Sequence, residues 1–463
     1  MNHDHTVAIG EIRTVRRELP KASEYAEFTS SYELLNRAGG PVAVRIEPPG
    51  GDTPVIYVAR PDIIRSILRD DGAFGLANYD EAFPNTSFFL SDGERRVYQL
   101  KRRIMKDILG HSEHGAKPGD LDMESIAKDV ATVVADALSR LDKPQFDILR
   151  DFKSMTIYLI AVRTFGVRGS PSILVKLLRT LKAVATRRPL RLTPISSEMH
   201  AMLGSCQLFF LQLFGNFRNK NTIFRLVGQS VSRRLKSDCR AVLSAVPPPN
   251  SLAEKLLGVR ASLLADETLD ASEDEIDEAL EDILLEFVTT LVMIVDTGFA
   301  NLLQAIAQTQ TSFFDAIASV SDPAHADAFI NDALRRNSPT GQVLRRAKKD
   351  AQIGTDPVKE GEDLILLVGQ ASLDEETFPE PLAIRIDRPR SGYLHFGPYE
   401  GVHACFGQKW ALTIIRQMLI ALDVFDSLHF TSDHVGDLRT FQGQPESWIV
   451  TYRRNTDTHE IST

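Results

Sequence analysis

One short stretch near the C-terminal end of the 463-residue chain contains a residue that could hold a metal ion. From Phe396 to Gly407 the sequence reads FGPYEGVHACFG, in which glycines and a proline surround Cys405, and an apolar periodic segment at residues 408–425 follows directly. Glycines let the backbone approach a ligand closely, and a helix that begins after the cysteine favours negative charge on its sulfur. This pattern predicts a thiolate ligand, although a single cysteine in such a chain is more often a small buried apolar residue.

A carboxylate beside a hydroxyl, Asp296 and Thr297, is the second candidate for chemistry. The pair lies in the middle of a segment in which apolar residues keep helical spacing over residues 276–306. Ser272 and Glu275 form a capping box that predicts the start of this helix. Polar groups buried in a helix must be hydrogen-bonded or used. Two interpretations are open: the pair acts on a bound ligand, or Thr297 bonds back to a carbonyl one turn earlier while Asp296 pairs with a distant cation.

Other elements follow from patterning along the chain. Two β-rich runs within residues 42–59, separated by Pro-Pro-Gly-Gly, predict a hairpin, and Pro61 begins an amphipathic helix. Residues 92–109 predict a basic helix, and residues 364–369 predict an apolar strand. Helical patterns without a chemical motif fill most of the region between residues 119 and 228.

Composition excludes several classes of protein. A net charge of -9 argues against a general nucleic-acid binder, since phosphate neutralisation needs a basic face. The 3 cysteines are not closely spaced, so they predict neither a disulfide framework nor a zinc site. The N-terminal segment lacks the apolar core of a secretory signal, and no unbroken apolar run has the length of a membrane span. We therefore expect a cytoplasmic monomer with no transmembrane anchor.

The cysteine loop resembles the haem-binding loop of the cytochrome P-450 superfamily, the haem-thiolate monooxygenases. The resemblance rests on a Phe-Gly followed by Gly401, His403, Cys405 and Gly407 in a Gly-x-His-x-Cys-x-Gly pattern. The loop is longer here, because three residues instead of one separate Gly397 from Gly401.

The resemblance implies a mainly α fold with a small β-rich lobe, in which haem lies between the long central helix and the helix after Cys405. Residues 1–25 are then a loose N-terminal arm, and residues 26–463 form a single haem-thiolate domain.

The implied cofactor is haem b, iron protoporphyrin IX, with the Cys405 thiolate as the axial ligand of the iron. Electron donation from a thiolate favours cleavage of the O–O bond. The residues implied to contact this haem are Cys405, His403, Arg345, Lys101, Arg102, Phe396 and Gly407. The choice between Lys101 and Arg102 as the cation that meets a propionate is open.

On the opposite side of the haem the resemblance implies a proton relay and a substrate pocket. Asp296 and Thr297 correspond to the acid-threonine pair that delivers protons to bound dioxygen. The residues implied to line the pocket are Met293, Ile294, Pro339, Gln342 and Val343. The family has Ala-Gly at the first two of these positions, so Met293 and Ile294 are expected to narrow the oxygen side of the pocket.

The resemblance also implies a structural ion pair between Asp332 and Arg335, in which Asp332 replaces the family's glutamate. Residues three apart on a helix share a face, so the two side chains can meet an arginine of the loop before Cys405. The candidates for that third member are Arg385, Arg388 and Arg390.

Three functions are weighed on this basis. The preferred one is a monooxygenase that acts on a small apolar or amphipathic substrate and takes electrons from a separate ferredoxin or flavoprotein reductase. Lys409 and Arg416, with Arg102 and Arg103, are expected to present a basic patch to that donor. The second is a haem-thiolate peroxygenase or hydroperoxide isomerase without an electron donor, since residues 384–397 resemble the haem-thiolate domain of fungal fatty-acid diol synthases. The third is a catalytically silent relative that binds haem or a partner.

Overall fold

The structure is a computed structural model that describes residues 12–16, 43–47, 54–76, 79, 81, 83, 96–109, 123–139, 145–167, 199, 202–206, 208–209, 222–309, 313–389, 392–397, 405–430, 440–441, 444–445 and 449–454. Helices account for most of these residues. In chain order they are α1 (Pro61–Arg69), α2 (Arg96–Leu109), α3 (Met123–Ser139), α4 (Ser154–Ile160), α5 (Thr222–Leu243), α6 (Leu252–Leu264), α7 (Glu273–Glu286), α8 (Val292–Gln308), α9 (Phe313–Ser321), α10 (Pro323–Arg336), α11 (Val368–Ala371) and α12 (Gln408–Ile420). Within the described ranges, π-helical segments flank α4 and join α7 to α8, at Ile148–Lys153, Ala161–Phe165 and Phe287–Leu291.

The strands are short and form a small β-rich part. They are β1 (Ile12–Arg16), β2 (Ala43–Glu47), β3 (Val55–Val58), β4 (Phe74–Gly75), β5 (Gln145–Asp147), β6 (Val343–Ala347), β7 (Ala351–Ile353), β8 (Asp356–Val358), β9 (Asp363–Leu366), β10 (Phe425–Phe430), β11 (Thr440–Phe441), β12 (Gln444–Pro445) and β13 (Ile449–Arg454). The larger sheet has the order β1-β2-β3-β9-β6-β4, and a second sheet has the order β10-β13-β5. The predicted fold class, mainly α with a small β-rich lobe, is confirmed.

The longest element is a continuous central helix formed by α7, Phe287–Leu291 and α8, 36 residues in all. The predicted capping box begins it: the Ser272 hydroxyl accepts from the backbone N–H of Glu275 at 3.3 Å, and the Glu275 carboxylate accepts from the backbone N–H of Ser272 at 2.8 Å. This helix is long and apolar enough to cross a membrane. However, 76% of its most apolar window is buried inside the protein, as in the core helix of a globular domain.

The π-helical segment in the central helix is not evident in the periodicity. The hydroxyl of Thr289 donates to the carbonyl of Leu285, and that of Thr290 donates to the carbonyl of Glu286. Hydroxyls that bond back to the preceding turn compete with the regular backbone ladder. The two adjacent threonines therefore give a physical reason for the irregular turn just before the acid-threonine pair.

Two local expectations differ from the structure. Within the predicted loose arm, Ile12–Arg16 is a strand that pairs in parallel with β2, which covers one backbone edge of that strand. The strand predicted at residues 364–369 ends at Leu366, and a short helix follows. The backbone turns into a helix at this point, where the N–H of Ala371 donates to the carbonyl of Leu367 at 2.9 Å and the N–H of Ser372 donates to the carbonyl of Val368 at 3.0 Å. The predicted hairpin of β2 and β3 is confirmed.

The helix after the cysteine, α12, packs against the central helix at very close range. A Cβ added at Gly298 would lie 2.8 Å from Cδ1 of Ile415 on α12, so this position has no room for a side chain. Trp410 of α12 packs its ring 5.6 Å from that of Phe165 and 5.7 Å from that of Phe287. These contacts fix α12, and with it the start of the cysteine segment, against the central helix.

We expect the substitution Gly298→Ala to lower the free energy of unfolding by about 1–2 kcal/mol, since the new methyl group must displace a buried neighbour. In an Ile415→Val background, which lacks Cδ1, the same substitution should cost less. Gly258→Ala in α6 is the control, because nothing lies within 4 Å of its added Cβ. It should stabilise by about 0.5–1 kcal/mol. Denaturant unfolding of Gly298→Ala, Ile415→Val, the double variant and Gly258→Ala provides the measurement. If Gly298→Ala lowers the free energy of unfolding equally in both backgrounds, the packing argument is wrong.

Candidate functional site

Cys405 lies directly before α12 at an accessible place in the structure. Its side chain is exposed, yet enough protein surrounds the sulfur that burial raises the pKa of the thiol. The backbone N–H groups of Gly407 and Gln408, and then the charge of Arg102, act in the opposite direction and lower it. A sulfur that is crowded by protein and still reachable from outside lies in a recess. This is the arrangement that a ligand to a bound metal requires.

Arg102 is the cation that lies beside this recess. Its guanidinium carbon lies 4.0 Å above the centre of the Phe406 ring, next to Cys405 in the chain. Burial lowers the pKa of Arg102, whereas Tyr98 and Cys405 raise it. Tyr98 and Arg102 are one turn apart on α2, so both side chains face the same side of the helix.

Lys101 points elsewhere, and its expected contact with a propionate is not supported by the structure. The side chain is fully buried and forms an ion pair with Glu286 of the central helix. Successive residues of a helix point about 100° apart, so only one of Lys101 and Arg102 can face the recess. Of these two residues, Arg102 is therefore the one that faces the recess at Cys405.

Arg345 of β6 supplies a second cation with an unused donor. The residue is 1% exposed, Nη1 donates to the carbonyl of Leu344 at 2.8 Å, and Nε has no partner. Burial lowers the pKa of Arg345, and Tyr79, Asp71 and Tyr98 act against this. A buried guanidinium with an unpaired N–H can donate a charge-assisted hydrogen bond to an anionic group. The residues present therefore fit a group that carries both a metal and carboxylates.

Tyr98 interacts with both arginines and Tyr79 interacts with Arg345, and no motif in the sequence indicates either tyrosine. Burial raises the pKa of Tyr98 to about 12, and both Arg102 and Arg345 lower it. Burial likewise raises the pKa of Tyr79. Helical spacing from Arg102 could have identified Tyr98. Tyr79 reaches Arg345 only through tertiary packing, which no local pattern indicates.

Part of the predicted loop lies outside the described residues, which include neither His403 nor residues 398–404. Phe396 is half-buried and packs against the main hydrophobic core. A Cβ at Gly407 would lie 3.9 Å from the sulfur of Cys405, so this glycine is a direct neighbour of the thiol.

The acid-threonine pair is held by partners inside the protein. The Thr297 hydroxyl donates to the carbonyl of Met293 at 2.9 Å. Asp296 is paired with Lys153, whose Nζ lies 2.7 Å from its carboxylate Oδ1 and also donates to its backbone carbonyl at 3.2 Å. Of the two interpretations left open, the structure shows the arrangement with a back-bonded threonine and a paired acid. Lys153 could not be found from the sequence, since 143 residues separate it from Asp296.

The predicted pocket residues are placed on two elements. Met293 and Ile294 are half-buried on α8, between the buried Val292 and Val295, and Ile294 packs against the main hydrophobic core. The residues Pro339, Gln342 and Val343 are also half-buried, in the segment that leads into β6.

Asp332 is the centre of a buried cluster before the cysteine loop. Arg335 Nε donates to it at 2.7 Å, and Nε of Arg388 lies 3.1 Å away in an ion pair. The backbone N–H of Arg385 and the hydroxyl of Tyr393 also donate to this carboxylate, at 2.6 and 3.3 Å. Of the three candidate arginines, Arg388 thus supplies the guanidinium. The side chain of Arg385 instead pairs at the surface, and Arg390 lies outside the described residues.

Two of the four cations expected to form a basic patch for an electron donor have partners within the protein. Arg416 donates to the carbonyls of Val320 and Ser321 at the end of α9, at 2.8 and 3.3 Å, so its guanidinium is used within the fold. Arg103 pairs with Asp266 at 2.6 Å. Lys409 is exposed on the first turn of α12.

Substitution of Asp332 by alanine should destabilise the protein by about 3–5 kcal/mol, because it leaves two buried guanidinium groups without a counter-charge. Asp387→Asn, which removes a partner of Arg385 at the exposed surface, is the control and should leave stability unchanged. Thermal and urea unfolding of the two variants provide the measurement. An Asp332→Ala variant as stable as the control would show that the cluster does not hold the loop.

Comparisons with known proteins bear on the family and the fold of the chain. No protein-family model matches the chain. A stretch of 149 residues is 32% identical to cytochrome P450 105C1 of a Streptomyces species and covers 32% of this chain and 39% of that protein. A stretch of 86 residues is 34% identical to Psi-producing oxygenase A of Aspergillus fumigatus and covers 19% of this chain and 8% of that protein. The chain therefore spans well under half the length of both relatives.

Similarity in structure extends over almost the whole chain. A mutant of P450 EryK in complex with erythromycin B superposes with a TM-score of 0.66 at 16% identity, over 95% of this chain and 99% of that chain. The predicted resemblance to the cytochrome P-450 superfamily is thereby confirmed, and this chain has the cytochrome P-450 fold.

Proposed function

We propose that the chain is a haem-thiolate monooxygenase that inserts one oxygen atom of dioxygen into a small apolar or amphipathic substrate. The observation that carries the proposal is the recess at Cys405, in which a reachable sulfur lies beside Arg102. Arg102 is in turn linked through Tyr98 to the unpaired Nε of Arg345. A sulfur ligand with Arg102 beside it, and a second buried cation, Arg345, near Tyr98, fits the metal and the propionates of haem b.

The residues of the chain would share the work as follows. Cys405 would hold the iron, and coordination would remove the proton of a thiol whose pKa burial raises in the protein alone. Arg102 and Arg345 would bind the propionates through charge-assisted hydrogen bonds. Bound haem supplies the activation of dioxygen, for which the thiolate is the electron-donating ligand. Met293, Ile294 and Val343 would surround the substrate with apolar surface.

The electrons would come from a separate ferredoxin or flavoprotein reductase. Lys409 and Arg103 are the exposed cations of the expected docking face, but Arg103 pairs with Asp266 and the guanidinium of Arg416 is used within the fold. A docking face for an acidic donor is therefore smaller than the sequence implied.

One observation favours a second candidate, a peroxygenase or hydroperoxide isomerase that needs no electron donor. Asp296 is paired with Lys153, and Thr297 is bonded to the backbone, so neither side chain is poised to move a proton in this arrangement. Met293 and Ile294 add bulk beside the pair. A reaction that begins with a preformed O–O bond does not require protons to be delivered to dioxygen.

The absorption spectrum of the reduced protein with carbon monoxide tests thiolate ligation directly. We expect the red-shifted Soret band from which cytochrome P-450 takes its name, and we expect Cys405→Ser to lose it. Cys239→Ser, at a buried cysteine of α5, is the control and should keep the band. A protein that binds no haem, or a band unchanged in Cys405→Ser, would refute the proposal and leave a catalytically silent relative.

Asp296→Asn separates the two candidate reactions. If the acid delivers protons to dioxygen, the variant should lose roughly 100-fold or more in turnover with dioxygen and an electron donor, and little with a hydroperoxide. Lys153→Met is the matched control, because it removes the same ion pair and keeps the carboxyl group. Steady-state rates with the two oxidants provide the measurement. Turnover of the unmodified protein with a hydroperoxide alone would favour the second candidate.

A further inference from the structure

His395 is a buried polar residue at the entrance to the cysteine loop for which the functions above have no use. It is 2% exposed. Leu394 and Gly397 close a tight turn around it, in which the Gly397 N–H donates to the Leu394 carbonyl at 2.9 Å and Gly397 has φ 81°. His395 and Phe396 are the two central residues of this turn. Central residues of turns usually face solvent, so a buried histidine here requires a partner in the core.

That partner is Asn331 of α10, and it fixes which ring nitrogen carries the proton. Nε2 of His395 lies 3.2 Å from Oδ1 of Asn331. The amide nitrogen of Asn331 donates to the carbonyl of Asp327 at 2.7 Å, so the oxygen of this amide faces the histidine. Nε2 must therefore be the donor, and Nδ1 is an acceptor. Nδ1 is buried and has no partner.

The ring is neutral and is in contact with aromatic neighbours. Burial, followed by the charge of Arg335, lowers the pKa of His395 to about 3. Its ring centre lies 4.7 Å from that of Phe396 and 5.7 Å from that of Tyr393. A buried nitrogen without a hydrogen-bond partner lowers stability. A leucine or phenylalanine would fill this space without that cost. Packing alone therefore does not explain a histidine here, whereas an oriented hydrogen bond to α10 does.

We propose that His395 is a positioning residue for the cysteine loop. Its hydrogen bond to Asn331 holds the turn at residues 394–397, and with it Phe396, in place. The proposal rests on the proposed haem-thiolate function. Asn331 is adjacent to Asp332, so α10 holds the chain before Cys405 at two points, one ionic at Asp332 and one neutral at Asn331. The ionic point holds the backbone and the arginines, and the neutral point holds the turn that carries Phe396.

The test compares variants that break this hydrogen bond from either side. His395→Leu and Asn331→Leu should each raise the rate of haem transfer to apomyoglobin by roughly tenfold and move part of the reduced carbon monoxide band to shorter wavelength. His395→Gln, which can still donate to Asn331, should restore most of the retention. The control is Asn301→Ala, since Asn301 is a buried amide that donates to the carbonyl of Ser338 at 3.2 Å. It should lower the thermal midpoint without changing the band.

The outcomes distinguish this inference from the proposed function. If the unmodified protein shows the thiolate band and His395→Leu retains both its band and its haem-transfer rate, the inference is wrong and the function stands. If the unmodified protein shows no such band, the proposed function fails. In that case, histidine ¹⁵N spectra of the haem-free protein still test the geometry. A ring that is protonated near neutral pH, or that carries its proton on Nδ1, would overturn it.

Discussion

The rest of the site depends on one buried carboxylate, that of Asp332. Two guanidinium groups, from Arg335 and Arg388, lie against it in a region that excludes water. Desolvated charges are tolerated only when they are paired and hydrogen-bonded, and loss of one partner is costly. Arg335 also donates to the carbonyls of Ser372 and Ala383, so the same charges hold the backbone of the following loop. The backbone that leads to Cys405 is therefore restricted to conformations in which these hydrogen bonds and ion pairs form.

From this cluster the geometry extends outward to the sulfur. Asn331, next to Asp332 on α10, holds the turn at His395, while α12 is held against the central helix at Gly298 and Trp410. The segment that carries Cys405 is thus anchored at both ends by contacts that do not involve the cysteine. This explains how a sulfur can remain reachable in a recess instead of collapsing into the core. The exposed and crowded environment of Cys405 is a consequence of rigid anchors on either side.

Features that depend on local spacing could be predicted from the sequence, and features that depend on distant neighbours could not. The capping box at Ser272, the long central helix and the pairing of Asp332 with Arg335 all follow from residues three or four apart. The choice between Lys101 and Arg102 depends on Glu286, which is 185 residues away from Lys101 and decides the rotation of α2. The partner of Asp296 comes from a π-helical segment that periodicity does not indicate.

The pair of Asp296 and Thr297 shows why a motif alone does not specify a reaction. A carboxylate beside a threonine can relay protons only if both side chains can leave their internal partners, and here each has a partner of its own. Lys153 contacts both the carboxylate and the backbone carbonyl of Asp296, so this acid is held at two points. The segment that precedes α8, Phe287–Leu291, is π-helical. Under the proposed haem-thiolate function, the strength of the contact between Lys153 and Asp296 would therefore decide whether dioxygen or a preformed peroxide suits this site.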